Sequence, residues 1–77
     1  MKEDLALKAF GCSIQSARNN LGLSQEKLAE FAGLDRTYIS SVERGQRNIS
    51  ILNIIKLANA LSVSPSNLLE NIGGSNE

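Results

Sequence analysis

Few side chains in this 77-residue sequence are equipped for catalysis. It has no histidine, which removes the commonest general base, the Ser-His dyads and most zinc sites. Its nearest carboxylate pairs, Glu26/Glu30 and Glu3/Asp4, sit where helix surfaces and helix ends expect solvated charge. The glycines follow neither a GxGxxG nor a P-loop pattern. Cys12 is the only cysteine, so no intrachain disulfide can form, and it is expected to be a small buried or boundary side chain. Neither an enzyme nor a metal, cofactor or small-molecule site is expected. The polar group that remains is Arg36, Thr37, Ser40 and Ser41. Arginine can bind guanine O6 and N7 in bidentate fashion, and threonine offers a hydroxyl and a methyl to base edges. Ser41 lies four residues after Thr37, on the same helical face, with Ser40 beside it. That chemistry is base reading in duplex DNA, with phosphate contact as the alternative for Arg36.

The elements that must position this set lie in residues 24–45. Ser24 is a good N-cap, and Leu28, Ala29 and Ala32 give the inner face of a helix of roughly two turns. Gly33 suits a left-handed C-cap. Leu34 is an apolar plug and Asp35 a second N-cap. A second helix then runs from about Arg36 to Arg44, with Tyr38, Ile39 and Val42 apolar and Gly45 as the stop. Helix, glycine turn and helix within about 20 residues form a helix-turn-helix, whose second helix reads DNA with its N-terminal residues.

Around this motif the chain predicts a helical scaffold, one domain over residues 1–77. Residues 1–4 read as frayed, with Asp4 available as a cap. Leu7, Phe10, Ile14, Ala17 and Leu21 are spaced 3, 4, 3, 4, the stripe of an amphipathic helix, and Gly22 is its C′ residue. Gly11 inside that helix implies close packing, because glycine there costs about 1 kcal/mol relative to alanine. Ser50 caps a fourth helix, Ile51 to Leu61, with apolar side chains at 51, 54, 55, 57, 58 and 61 and Leu52 at the edge of the arc. Ser64-Pro65 opens a last short helix reaching about Asn71, with Leu68, Leu69 and Ile72 buried. Residues 73–77 read as a flexible tail. The fold class is all-α, a five-helix bundle with a central helix-turn-helix.

Backbone contacts are expected from Gln25 at the first position of the first helix of the motif, from Tyr38, and from Arg44, Arg47, Asn48 and Ser50 around the next helix start. Helix N-termini offer free N–H groups to phosphates. Whether Arg47 meets a groove or a phosphate is left open by its position. Arg18 and Glu43 are expected to pair, locking the reading helix to the first helix, so that losing either leaves a partly buried charge. The apolar arc of the fourth helix exceeds what so small a core uses, which suggests a partner copy. Leu52, Ile55, Asn59 and Leu68 are the expected dimer contacts, within helices over about 50–72. Eight basic and eight acidic residues cancel, unusual for a DNA binder. No acid, however, lies between Arg44 and Leu69, where Arg47 and Lys56 also sit. The balance predicts few phosphate contacts and a shallow salt dependence. No apolar run reaches the roughly 18 residues of a membrane span, residues 1–10 lack the apolar h-region of a signal peptide, and one cysteine suits a reducing cytoplasm.

With these residues in view, positions 14–69 resemble the lambda-repressor-like domain of phage-repressor and Xre-type regulators. The landmarks are Arg18, Gly22-Leu23-Ser24-Gln25-Glu26, Leu28-Ala29, Gly33-Leu34, Tyr38-Ile39-Ser40, Glu43-Arg44-Gly45 and Leu57-Ala58-Asn59-Ala60-Leu61. The stretches 34–40 and 43–50 resemble the controller proteins of restriction–modification systems. The resemblance implies a homodimer formed through the C-terminal helices, binding palindromic operators upstream of its own gene and the endonuclease gene. It implies activation at low occupancy and repression at high occupancy, with RNA polymerase as a further candidate partner. It also implies base contacts from Arg36, Thr37 and Ser41. Alternatives are a phage-type or antitoxin-like repressor with the same domain, and a helical interaction module without DNA binding.

Overall fold

The computed structural model describes residues 2–70 and residue 72. Five helices follow one another: α1 (Glu3–Asn20), α2 (Gln25–Ala32), α3 (Arg36–Glu43), α4 (Ile51–Leu61) and α5 (Pro65–Leu69), with no strand among the described residues. Ser24, Ser50 and Ser64 cap α2, α4 and α5, each hydroxyl accepting from the backbone N–H three residues on. This satisfies donors that a helix start leaves unpaired. α1 ends in a Schellman turn in which Leu23 N–H donates to Arg18 carbonyl and Gly22 N–H to Asn19 carbonyl, each at 3.0 Å. Gly22, Gly33 and Gly45 all carry the positive φ that closes their helices.

One core holds the elements together: Phe10 and Ile14 from α1, Leu28, Ala29 and Ala32 from α2, Ile39 and Val42 from α3, Ile54, Leu57, Ala58 and Leu61 from α4, and Leu68 from α5. α3 lies against both α1 and α2, so it is backed on two sides. Gly11 meets α3 at its C-terminal end, where a Cβ would overlap the Val42 carbonyl and stand 2.6 Å from that of Glu43. Gly45 completes the contact one turn earlier along α1, since a Cβ there would lie 2.8 Å from Lys8 Cα.

Several expectations are corrected. α1 begins at Glu3, and Asp4 lies inside it, its carboxylate accepting from the Leu5 N–H rather than capping the helix. Leu21 is exposed, because α1 stops at Asn20 and the glycine turn swings the chain away from the stripe. Cys12 is exposed on α1 beside buried Gly11. Asp35 stands at the N-cap of α3 with extended backbone, but its side chain makes no capping bond. α5 ends at Leu69, which is part-exposed, while Leu68 is buried. Ile72 packs against the core; Asn71 and the expected tail 73–77 lie outside the described residues.

Candidate nucleic-acid interface

Burial of Ile39 and Val42 rolls α3 so that Arg36 and Thr37, on its first turn, face solvent. Ser40 and Ser41 are half-buried. Ser41 Oγ donates to the Thr37 carbonyl at 3.0 Å, and Ser40 Oγ accepts from Arg44 Nη1 at 2.7 Å. Their oxygens keep lone pairs for a base donor, but their protons or orientation are committed within the helix. Arg36 and Thr37 are the two members of the reading set whose side chains stand open.

The expected backbone-binding residues fall into two groups. Arg44 Nε also donates to Gln46 Oε1 at 3.2 Å, which fixes its guanidinium along the end of α3. Arg47 stacks its guanidinium over the Tyr38 ring, 5.1 Å from the centroid, a cation–π geometry. The Tyr38 hydroxyl accepts from Asn53 Nδ2 at 3.0 Å, leaving its own proton free for an incoming oxygen. Ser50 is occupied in capping α4, and exposed Asn48 faces the first turns of α1 across a shallow cleft lined by Glu3, Ala6 and Leu7. Asn53 is absent from the expected set. The signal was there, as a polar residue among apolar neighbours in the first turn of α4.

Gln25 occupies the first position of α2, but its amide is not idle: Nε2 donates to Glu43 Oε1 at 3.0 Å. Glu43 Oε2 receives Arg18 Nε at 2.6 Å and Oε1 receives Arg18 Nη2 at 3.1 Å, while Arg18 Nη1 donates to the Leu23 carbonyl at 2.8 Å. The Arg18 and Glu43 side chains are only 12% and 3% exposed. One bidentate pair thus joins α1, the turn before α2, and the end of α3.

On α4, Leu52 is 66% exposed and Ile55 39% exposed. Asn59 is exposed too, and positions 52, 55 and 59 share one face of α4. Leu68 does not belong with them. At 1% exposure it fills the core beneath α5 and is unavailable to a second copy; Ile51 and Leu69 are the additional exposed apolar side chains of the C-terminal helices. No helix among the described residues is long and apolar enough to cross a membrane.

Comparison with known proteins agrees with this geometry. The helix-turn-helix family matches residues 14–68. The chain is 51% identical over 65 residues to control protein C.SmaI of Serratia marcescens, covering 84% of this chain and 77% of that protein. It is 48% identical over 62 residues to control protein C.BamHI of Bacillus amyloliquefaciens, covering 79% and 76%. The crystal structure of the restriction–modification controller protein C.AhdI from Aeromonas hydrophila superposes with a TM-score of 0.79 at 53% identity, over 80% of this chain and 94% of that one. A family match from Ile14 in α1 to Leu68 in α5, with controllers at half identity, shows that the chain belongs to the helix-turn-helix family and, within it, to the controller proteins of restriction–modification systems.

Proposed function

We propose that the chain binds operator DNA as a homodimer, reading bases with Arg36 and Thr37, and controls transcription of its own gene and of an associated endonuclease gene. The observation that carries this reading is the exposed first turn of α3, which the start of α4 meets through the Asn53–Tyr38 bond, while the start of α2 meets the end of α3 through the Gln25–Glu43 bond. Phosphates gripped at those two helix starts would hold α3 in the major groove. Arg44, Arg47, Asn48 and the Tyr38 hydroxyl supply further backbone contacts. An activating role, exerted in the cytoplasm from an upstream site, brings RNA polymerase alongside the bound dimer.

The test is binding to duplex DNA from upstream of the protein's own gene, at two salt concentrations, for wild type and Arg36→Ala. Wild type is expected to prefer this DNA over random duplex, and the variant to lose about 1–3 kcal/mol per subunit of that preference. Equal binding to both duplexes would overturn the reading. The salt slope is expected to be shallow, since the chain carries no net charge.

The dimer is tested separately through its apolar face. Leu52→Asp is expected to raise the dimer dissociation constant at least about tenfold, the effect of desolvating one charge against apolar surface. Its folding stability in the monomer should be unchanged, because Leu52 lies outside the core. Sedimentation across a concentration series reads the first quantity, and denaturation of the dilute protein the second.

A further inference from the structure

We infer that Glu43 is a positioning residue for DNA binding, acting through Gln25, and that Arg18 makes this role compatible with a nearby phosphate. The inference rests on the operator-binding reading above. A glutamine amide can present either its N–H groups or its carbonyl, and only the former suits a phosphate. Glu43 decides between them. A carboxylate accepts and does not donate, so the oxygen at 3.0 Å from Gln25 must face the amide nitrogen. One N–H is consumed, the amide plane is fixed, and the second N–H remains at the start of α2, beside the backbone donors of that helix end.

An acceptor with a full negative charge would ordinarily repel the phosphate it prepares for. Here both carboxylate oxygens are also bonded to the Arg18 guanidinium, and the pair is almost withdrawn from solvent. The site therefore offers a strong hydrogen-bond acceptor to Gln25 without a net charge. Because Glu43 is the last residue of α3 and Gln25 the first of α2, the same bond ties the phosphate donor to the orientation of the reading helix.

The experiment is a double-mutant cycle in DNA affinity. Single loss of Glu43 would also unpair Arg18, so the acceptor is removed in an Arg18→Met, Glu43→Met background, which replaces both partners with apolar side chains of similar length. Gln25→Ala is made in wild type and in that background, and each protein's folded state is checked by denaturation. In wild type Gln25→Ala is expected to weaken operator binding at least about tenfold, the lower end of what one charge-assisted hydrogen bond contributes. In the double-methionine background the same change is expected to cost less than about twofold, because an unheld amide has little left to lose. Equal losses in both backgrounds would overturn the inference and reduce Glu43 to a scaffold residue. No loss in wild type would overturn it as well, by removing Gln25 from the phosphate. Failure of wild type itself to select operator DNA would instead strike the function proposed above. Side-chain amide resonances of Gln25 give a readout independent of DNA: restricted in wild type, and averaged in the double-methionine protein.

Discussion

Gly11→Ala is expected to destabilise the fold by about 3 kcal/mol, the upper part of the range for overpacking a filled interior. For a domain of this size that lowers the melting temperature by roughly 12–24 °C. Helix propensity alone argues the other way. Alanine inside α1 should gain about 1 kcal/mol over glycine, so the sign of the effect separates local from tertiary control. The tertiary side wins because of what the new methyl group meets. It would overlap the Val42 carbonyl and sit 2.6 Å from the Glu43 carbonyl oxygen and 2.9 Å from its carbon. These are backbone atoms at the end of α3, and the Val42 carbonyl already accepts from the Gly45 N–H at 3.0 Å. No rotamer change can relieve them, so α1 and α3 must separate. The separation would tilt the reading helix, and operator affinity should fall along with stability. Thermal denaturation of the variant, with operator binding measured well below its midpoint, checks both parts. A stabilised variant would show that α1 and α3 do not approach so closely in solution.

Arg18→Met is expected to cost about 3–5 kcal/mol of folding stability, the loss typical when one partner of a buried pair is removed. Glu43 would keep the single bond from Gln25 Nε2 while its carboxylate stayed 3% exposed. The Leu23 carbonyl would lose its Arg18 donor too, loosening the turn into α2. Exchanging Glu43 for methionine in the same chain should restore most of that loss, since two apolar side chains need no partner in this position. Chemical denaturation at one fixed protein concentration compares the three proteins and keeps dimer coupling constant. The single variant matching wild type would mean that the pair is solvated in solution and contributes little.

Much of this molecule is decided locally and is therefore legible in its sequence. The serines at 24, 50 and 64 act within one helical turn, and the glycines at 22, 33 and 45 act through their own φ angles. The apolar spacing of α2, α3 and α4 fixes which face turns inward, and so which leaves Arg36, Thr37 and Leu52 outside. The Arg18–Glu43 pair, 25 residues apart in the chain, is legible too, but as a lock between two helices only. That Gln25 joins it, that Arg47 lies over Tyr38 and that Asn53 holds the Tyr38 hydroxyl depend on side chains from different parts of the fold meeting. No periodicity encodes such meetings. The same cause explains the misplaced residues. Leu21 has core chemistry but stands just past the end of α1, and Leu69, the last residue of α5, is exposed, whereas Leu68, an expected dimer contact, is the one that the packing of α5 on α1 and α4 encloses. Sequence by itself determined the helices, their serine caps and glycine stops, and the outward turn of the reading helix, because these follow from interactions within a few residues. Only the tertiary structure decided which polar side chains are already committed to one another and which stand ready for DNA, because that depends on distances between helices.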